Sequence, residues 1–299
     1  MYYKNKLIIA TLSLGLIVNL VSCGSGGEPE KKEEMKDTTV VSADSGKANK
    51  QEDEISYTLP SPMQIANIFK KSGLKYYSGM CNKTDEINKY KAGSLTVKAL
   101  NLGVYSADLS YCILNKQNQE SKNYFKSCKE LASELGLAKA FDSKNAAQRM
   151  EKNMNNQDSL SAMLVDIQME TDNILNENNQ EHISVISFTG AWIESMYIGV
   201  QVNGKEKNTN IAAKLVEQMA IAENIIKALK AHSAKDAGIG GLIKQMTTLS
   251  DIYNNFKSVK EIKATDPDVI DPAKLNISIT ELYSFSQKLE EIRSAIIKG

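Results

Sequence analysis

The sequence is poor in the residues on which catalytic and metal centres most often depend. It has only two histidines, His182 and His232, and neither has a histidine or glutamate at the spacing of a helical zinc or di-iron motif. No serine lies in the glycine-flanked pattern of a nucleophile elbow. We therefore predict a non-enzymatic protein that has no catalytic residues, no metal site and no cofactor.

Proline and net charge are also scarce. Only five prolines occur in 299 residues, and apolar residues recur at intervals of three and four, which is the period of an α-helix. Basic and acidic residues each number 36, so the chain lacks the basic excess typical of nucleic-acid binding. These features predict an all-α protein with no nucleic-acid partner.

Long apolar runs are few, and the first one lies near the N-terminus. Lys4 and Lys6 precede an apolar stretch over residues 7–21, which is the order found in an export signal. This run has about 15 residues, whereas a helix that crosses a bilayer needs about 20. We predict a signal peptide over residues 1–22 and no permanent span there.

The signal ends in the motif Leu20, Val21, Ser22 and Cys23. This motif resembles the lipobox of bacterial lipoproteins, in which a leucine and two small or aliphatic residues precede the cysteine. The resemblance implies cleavage before Cys23, a diacylglyceryl thioether on its sulfur and acylation of its new amino group. Several acyl chains anchor a protein stably, so we expect membrane lipid as a partner and the cell envelope, at the outer membrane, as the location. An ordinary secretory signal with an incidental cysteine is the alternative.

The stretch that follows, residues 24–56, is rich in lysine and glutamate and holds almost no large apolar side chain. Such a segment cannot bury enough surface to offset its conformational entropy. We predict a disordered tether over residues 23–56, and a flexible coil of about 33 residues spans roughly 30 Å. A single α-helical domain is predicted over residues 57–299.

The predicted domain is an irregular bundle of about eight to nine helices, counted from the apolar stripes. The clearest starts are Ser61 followed by Pro62, and a capping box formed by Ser278 and Glu281. Apolar stripes over residues 209–231 and 242–259 predict further helices.

Helical hairpins in series give the chain a second possible architecture. Leu102 with Gly103, and Tyr124 with Phe125, resemble residues that the tetratricopeptide family uses. No 34-residue period accompanies them. A short solenoid of helical hairpins is therefore the alternative to the bundle.

Two of the predicted helices, residues 95–114 and 183–202, are apolar nearly all round. Their few charges are Lys98 and Asp108 in the first and Glu194 in the second. A helix without a polar face is buried or spans a membrane, and a carboxylate at the centre of a span costs about 3 kcal/mol. We predict that both are buried central helices around which the others pack.

These two helices also resemble each other locally. Each contains a glycine, then an aromatic residue two positions on, then a carboxylate, then a tyrosine three positions after it. The matching residues are Gly103, Tyr105, Asp108 and Tyr111 in one helix and Gly190, Trp192, Glu194 and Tyr197 in the other. Small residues at helical spacing would let the two backbones approach closely.

Asp108 and Glu194 are the candidate functional residues, because a buried carboxylate must be paired or hydrogen-bonded, or become neutral. One interpretation is a ligand site that holds both carboxylates and is lined by Tyr105, Tyr111, Trp192 and Tyr197. The other is structural, with each carboxylate bonded to a tyrosine hydroxyl, the tryptophan ring N–H or a lysine such as Lys98. The sequence leaves both open.

Three cysteines remain besides Cys23, and an exported protein lies where disulfides persist. Cys112 and Cys128 stand on opposite arms of a predicted helical hairpin, and a disulfide would need their Cα atoms within about 7 Å. Buried free thiols are the alternative, and Cys81 is left over.

Three functions fit these features. The first is a non-enzymatic binding or scaffold module for an envelope protein or peptide. The second is a small-molecule or lipid-binding protein with a pocket near Asp108 and Glu194. The third is an enzyme that uses the same two carboxylates, which requires them to meet in an open cleft.

Overall fold

The computed structural model of the chain describes residues 59–265 and 274–299. The predicted signal peptide, Cys23, the predicted tether and residues 57–58 of the predicted domain lie outside these ranges. The described residues form α-helices and short 3-10 turns, with no strand among them. The all-α class predicted from the sequence is confirmed.

The described residues contain thirteen α-helices, more than the predicted eight or nine. They are α1 (Pro62–Lys71), α2 (Asn88–Lys91), α3 (Leu95–Leu114), α4 (Asn118–Glu134), α5 (Ala138–Asp142), α6 (Ala146–Lys152), α7 (Gln157–Glu177), α8 (Glu181–Glu206), α9 (Thr209–Glu217), α10 (Met219–Ala231), α11 (Gly238–Asn254), α12 (Lys257–Thr265) and α13 (Ile279–Lys298). The short helices α2, α5 and α6 have too few turns for an apolar period to show. Two predicted helices are each divided into two in the structure. The stripe over 209–231 corresponds to α9 and α10, and the stripe over 242–259 corresponds to α11 and the start of α12.

Two helix starts follow the caps read from the sequence. The hydroxyl of Ser61 accepts a hydrogen bond from the backbone N–H of Gln64, whose side chain accepts one from the N–H of Ser61. Ser278 and Glu281 form the same reciprocal box at the start of α13. Each box satisfies N–H groups that the first turn of a helix leaves unpaired.

Helices α3 and α8 form the centre of the fold, as predicted. Tyr105 of α3 and Trp192 of α8 are fully buried. The two backbones touch at glycines: a Cβ on Gly103 would lie 1.7 Å from the carbonyl oxygen of Ser187, and one on Gly190 would lie 2.1 Å from that of Leu100. Only residues without a side chain allow this approach.

The other helices surround this pair. Helix α1 from the start of the described chain and α13 from its end both pack on α3 and α8, as does α7 from its middle. The buried apolar residues form one connected core. In a solenoid each unit would contact only its neighbours in sequence, so the architecture is the irregular bundle and not the alternative solenoid.

Among the described residues, one helix, α8, is long and apolar enough to cross a membrane. Of its most apolar 18-residue window, 83% is buried inside the fold. A core helix of a globular domain is also apolar on all sides. The burial of α8 therefore agrees with its predicted central position.

Candidate functional site

Asp108 and Glu194 lie in one buried network, together with an arginine from the last helix. Arg293 of α13 donates from Nε to Glu194 Oε2 at 2.7 Å and from Nη2 to Glu194 Oε1 at 2.9 Å. The centre of its guanidinium group lies 3.9 Å from the ring centroid of Tyr197. The arginine therefore has a carboxylate in its plane and an aromatic face against it, both of which suit a guanidinium.

Asn82 connects this ion pair to Asp108. The Arg293 Nη2 group also donates to Asn82 Oδ1 at 2.9 Å. Asn82 in turn donates to Asp108 Oδ2, from its backbone N at 3.0 Å and from its side-chain Nδ2 at 2.8 Å. One asparagine thus uses its donor and its acceptor to join α3, α8 and α13.

Two tyrosines hold the loop that carries Asn82. The hydroxyl of Tyr124 on α4 donates to the carbonyl oxygen of Asn82. The hydroxyl of Tyr105 on α3 donates to the carbonyl oxygen of Lys83 at 2.6 Å. Burial raises the pKa of both phenols, so they remain neutral donors and fix the loop through its backbone.

The network is sealed from solvent. Asp108 and Glu194 are 0% exposed and Arg293 is 8% exposed. Burial and the charge of Glu194 raise the pKa of Asp108, and the bonds from Asn82 together with the charge of Arg293 lower it by less. Burial also raises the pKa of Glu194, but Arg293 opposes it through its charge and two direct bonds. Glu194 therefore carries the negative charge, and Asp108 is the group that keeps a proton.

A proton on Asp108 explains an otherwise unpaired atom. Asp108 Oδ1 is buried and accepts no hydrogen bond from any described donor. The neighbouring Asp108 side chain lowers the pKa of Glu194, which is the effect of a hydrogen-bond donor and not of a second negative charge. Two ionised carboxylates would repel, whereas a protonated Asp108 donates to Glu194 and leaves the core neutral.

The structure brings together part of the predicted site. Tyr197 contacts Arg293, and Tyr105 supports the loop of Asn82. Tyr111 lies apart, where its hydroxyl accepts from the N–H of Tyr77 at 2.9 Å and donates to the carbonyl of Lys75 at 2.8 Å. Trp192 is buried with no described partner for its Nε1, and Lys98 pairs with Glu134 at 3.7 Å. The carboxylates thus have partners other than those suggested from the sequence.

Sequence reasoning missed Arg293 and Asn82. Arg293 does carry a signal: the chain has only two arginines, and this one stands at the helical spacing of the buried Leu289 and Ile296. An arginine inside an apolar stripe indicates a buried carboxylate partner, since its planar group suits that pairing better than lysine. Asn82 lies in a loop, where no periodic pattern marks it.

No protein-family model, curated protein or solved structure matches this chain. Its function is therefore argued from its own residues. The sealed network joins three helices and a loop, and among the described residues it leaves no open cleft in which Asp108 and Glu194 could meet a substrate. The hypothesis that these two carboxylates form an enzyme site, which required such a cleft, is not supported by this geometry.

The histidines come together although they are distant in sequence. His182 near the start of α8 and His232 at the end of α10 have ring centroids 6.5 Å apart. Burial and the neighbouring His232 lower the pKa of His182. Among the described residues no group of three or more histidine, cysteine or acidic side chains is placed to hold a metal ion.

The three cysteines of the described domain are free thiols in two different surroundings. Cys128 Sγ lies 3.7 Å from the hydroxyl of Ser106, whereas Cys112 is a neighbour of Cys81 and raises its pKa. Cys112 and Cys128 are both buried.

A cavity of about 60 Å³ lies between α3, α7 and α8. Its wall is formed by aliphatic and aromatic side chains, by serine and threonine hydroxyls and by Gln168, with Cys128 as the only titratable group. Burial raises the pKa of Cys128 to about 12, so it too is neutral. Neither Asp108 nor Glu194 lines this cavity.

Proposed function

We propose that this protein is a lipid-anchored component of a bacterial cell envelope whose helical domain binds a partner and catalyses no reaction. The observation that carries the proposal is the motif Leu20, Val21, Ser22 and Cys23, placed directly after an export signal. Acylation of Cys23 would attach the chain to lipid, and the charged stretch over residues 24–56 would hold the domain clear of the headgroups.

The helical domain supports a binding or scaffold role more than an enzymatic one. Asp108 and Glu194, the carboxyl groups first considered for chemistry, are occupied by Asn82 and Arg293. The membrane would be one partner through Cys23, and an envelope protein or peptide the other. Nucleic acid is not expected, because the mature chain would carry a net charge of about −2 after loss of Lys4 and Lys6.

The anchor is tested by replacing Cys23 in cells of the producing bacterium. We expect the native protein to incorporate an alkyne-labelled fatty acid and to sediment with membranes, while Cys23→Ala loses the label and becomes soluble. Cys81→Ala, which alters a cysteine inside the domain, is the control and should behave as the native chain. A Cys23→Ala protein that remains in the membrane fraction would contradict the anchor and favour a spanning role for α8.

The partner is tested on intact cells. Crosslinking followed by affinity purification should recover the same envelope protein or peptide with the native chain in repeated experiments, and not with the released Cys23→Ala protein. Recovery of nothing beyond lipid would count against the binding role while leaving the anchor unaffected.

A second candidate function is binding of a small uncharged molecule, and the cavity between α3, α7 and α8 favours it. Its wall offers apolar side chains and hydroxyl groups with no charge, and its volume suits an apolar ligand of only a few heavy atoms with one hydrogen-bonding group. Thr171 of α7 lines this cavity, so Thr171→Trp should fill it.

Native mass spectrometry of the protein from the producing bacterium tests this candidate. A bound small molecule should appear with the native domain and be absent from Thr171→Trp. A matched Thr248→Trp change, at a residue that does not line the cavity, should retain it. A native domain that is empty in every extract would remove this function.

A further inference from the structure

We infer that Cys81 and Cys112 join in a disulfide once the protein has left the cytoplasm. The inference rests on the proposed function, because export would take the chain to a compartment where disulfides persist. It also rests on the path of residues 75–83 along α3.

Two residues of α3, about one turn apart, hold this segment. Near its start, Tyr111 bonds to the backbone of Lys75 and Tyr77. Near its end, Asn82 donates twice to Asp108. Since the chain is attached on both sides of Cys81, that cysteine is fixed against the face of α3.

Cys112 is the residue of α3 that Cys81 meets. It lies one helical turn after Asp108, while Cys81 directly precedes Asn82, the partner of Asp108. The two thiols are neighbours, since Cys112 raises the pKa of Cys81 and, in addition to burial, both cysteines raise the pKa of the nearby Tyr76.

The reaction balances with a protein or small-molecule disulfide as oxidant. Cys81 is the partly exposed thiol and Cys112 is buried, so the sulfur of Cys81 attacks the oxidant disulfide, and the proton of Cys81 passes to the oxidant thiol that leaves. The sulfur of Cys112 then displaces the second oxidant thiol from the mixed disulfide. Two protons and two electrons leave the protein, and the oxidant becomes two thiols.

Cys128 serves as an internal control. Its sulfur lies 3.7 Å from the hydroxyl of Ser106, and the residue is 1% exposed. The geometry thus gives one pair and one free thiol. The bond would attach the loop of Asn82 covalently to α3, next to the network that Asn82 completes.

The test uses the full-length protein in the producing bacterium; cells are quenched in acid, and free thiols are then blocked by N-ethylmaleimide in denaturant, which exposes the buried cysteines. Peptide mapping without reductant should show residues 81 and 112 linked and Cys128 alkylated. Membrane-bound protein with Cys81 and Cys112 both alkylated, or with Cys128 in the link, would overturn the inference and leave the anchor standing. Protein recovered from the cytosol would instead contradict the proposed function.

A second arm does not depend on location. Purified reduced protein treated with oxidised glutathione should form the same link, and its absence there would also overturn the inference. Reductant should then lower the Tm of native protein and of Cys128→Ala by about 5 °C or more, and should leave the Tm of Cys81→Ser and Cys112→Ala unchanged. If reductant lowers the Tm of all four proteins equally, the fall does not come from a bond between Cys81 and Cys112, which would count against the inference.

Discussion

The two carboxyl groups of the buried network differ in charge, because the network holds only one positive group, Arg293. Charge balance requires one carboxyl to remain protonated. Arg293 bonds directly to Glu194, while Asp108 receives only neutral donors from Asn82. Asp108 is therefore the neutral member.

We expect Asp108→Asn to be at least as stable as the native protein at pH 7. Asparagine is uncharged at every pH and keeps both an acceptor for Asn82 and a donor for Glu194. The raised pKa of Asp108 means that its contribution to stability is complete below the unfolded pKa of about 3.9 and is lost as the pH rises toward the folded pKa. The Tm of the variant minus that of the native protein, measured from pH 4 to 8, should therefore increase with pH. A constant or shrinking difference would mean that Asp108 is ionised in the fold.

Arg293 should be far less replaceable than the other arginine. Lysine cannot donate in parallel to Glu194 and also reach Asn82, so we expect Arg293→Lys to reduce the free energy of unfolding by about 2 kcal/mol or more. The matched change is Arg149→Lys, because Arg149 pairs with Asp166 at 2.8 Å with both side chains about one third exposed. That change should cost less than about 1 kcal/mol. Equal losses in urea unfolding would contradict the central role of Arg293.

At the scale of elements, the contact between α3 and α8 depends on two glycines. An alanine at Gly103 or Gly190 would place its Cβ within 1.7 or 2.1 Å of a carbonyl oxygen on the facing helix. Backbone oxygens cannot rotate aside as a side chain does, so the two helices must separate. We expect each variant to lose about 3 kcal/mol of stability.

The control for this prediction lies in the same helix. Gly204 of α8 is exposed, and a Cβ there would meet nothing within 4 Å. Gly204→Ala should therefore raise stability by about 0.5 to 1 kcal/mol, since alanine favours a helix over glycine. Chemical denaturation of the three variants measures the free energy of unfolding, which should fall for Gly103→Ala and Gly190→Ala and rise for Gly204→Ala. Wild-type stability for Gly103→Ala and Gly190→Ala would show that the helices do not touch at these points.

The elements also show what the sequence can and cannot predict. The starts of α1 and α13 were predicted because a cap is a pattern of three or four adjacent residues. The central position of α3 and α8 was predicted because a helix without a polar face must be buried. The partners of Glu194 and Asp108 were not predicted, because Arg293 is 99 residues from Glu194 and 211 residues from Asn82 in the sequence. Such pairings depend on how helices from distant parts of the chain pack, which no local pattern contains.

At the scale of the whole molecule, stability and location are assigned to different parts of the chain. The described helices share one connected core, and the buried network attaches the last helix to the central pair. The features that argue for an envelope location, by contrast, all precede residue 57. The fold and the anchor should therefore be separable by deletion.

We expect a chain that lacks residues 24–56 but keeps Cys23 to stay bound to the membrane with its Tm changed by no more than about 1 °C, because that stretch has hardly any large apolar side chain to bury. The matched deletion at the other end removes α13, with Arg293 and the buried Phe285, Leu289, Ile292 and Ile296. That deletion takes away a wall of the core and the counter-charge of Glu194, so cooperative unfolding should be lost. Circular dichroism melts of the two proteins make the comparison. A Tm that falls by several degrees when residues 24–56 are removed would show that this stretch belongs to the fold, and the tether would then have to be placed elsewhere.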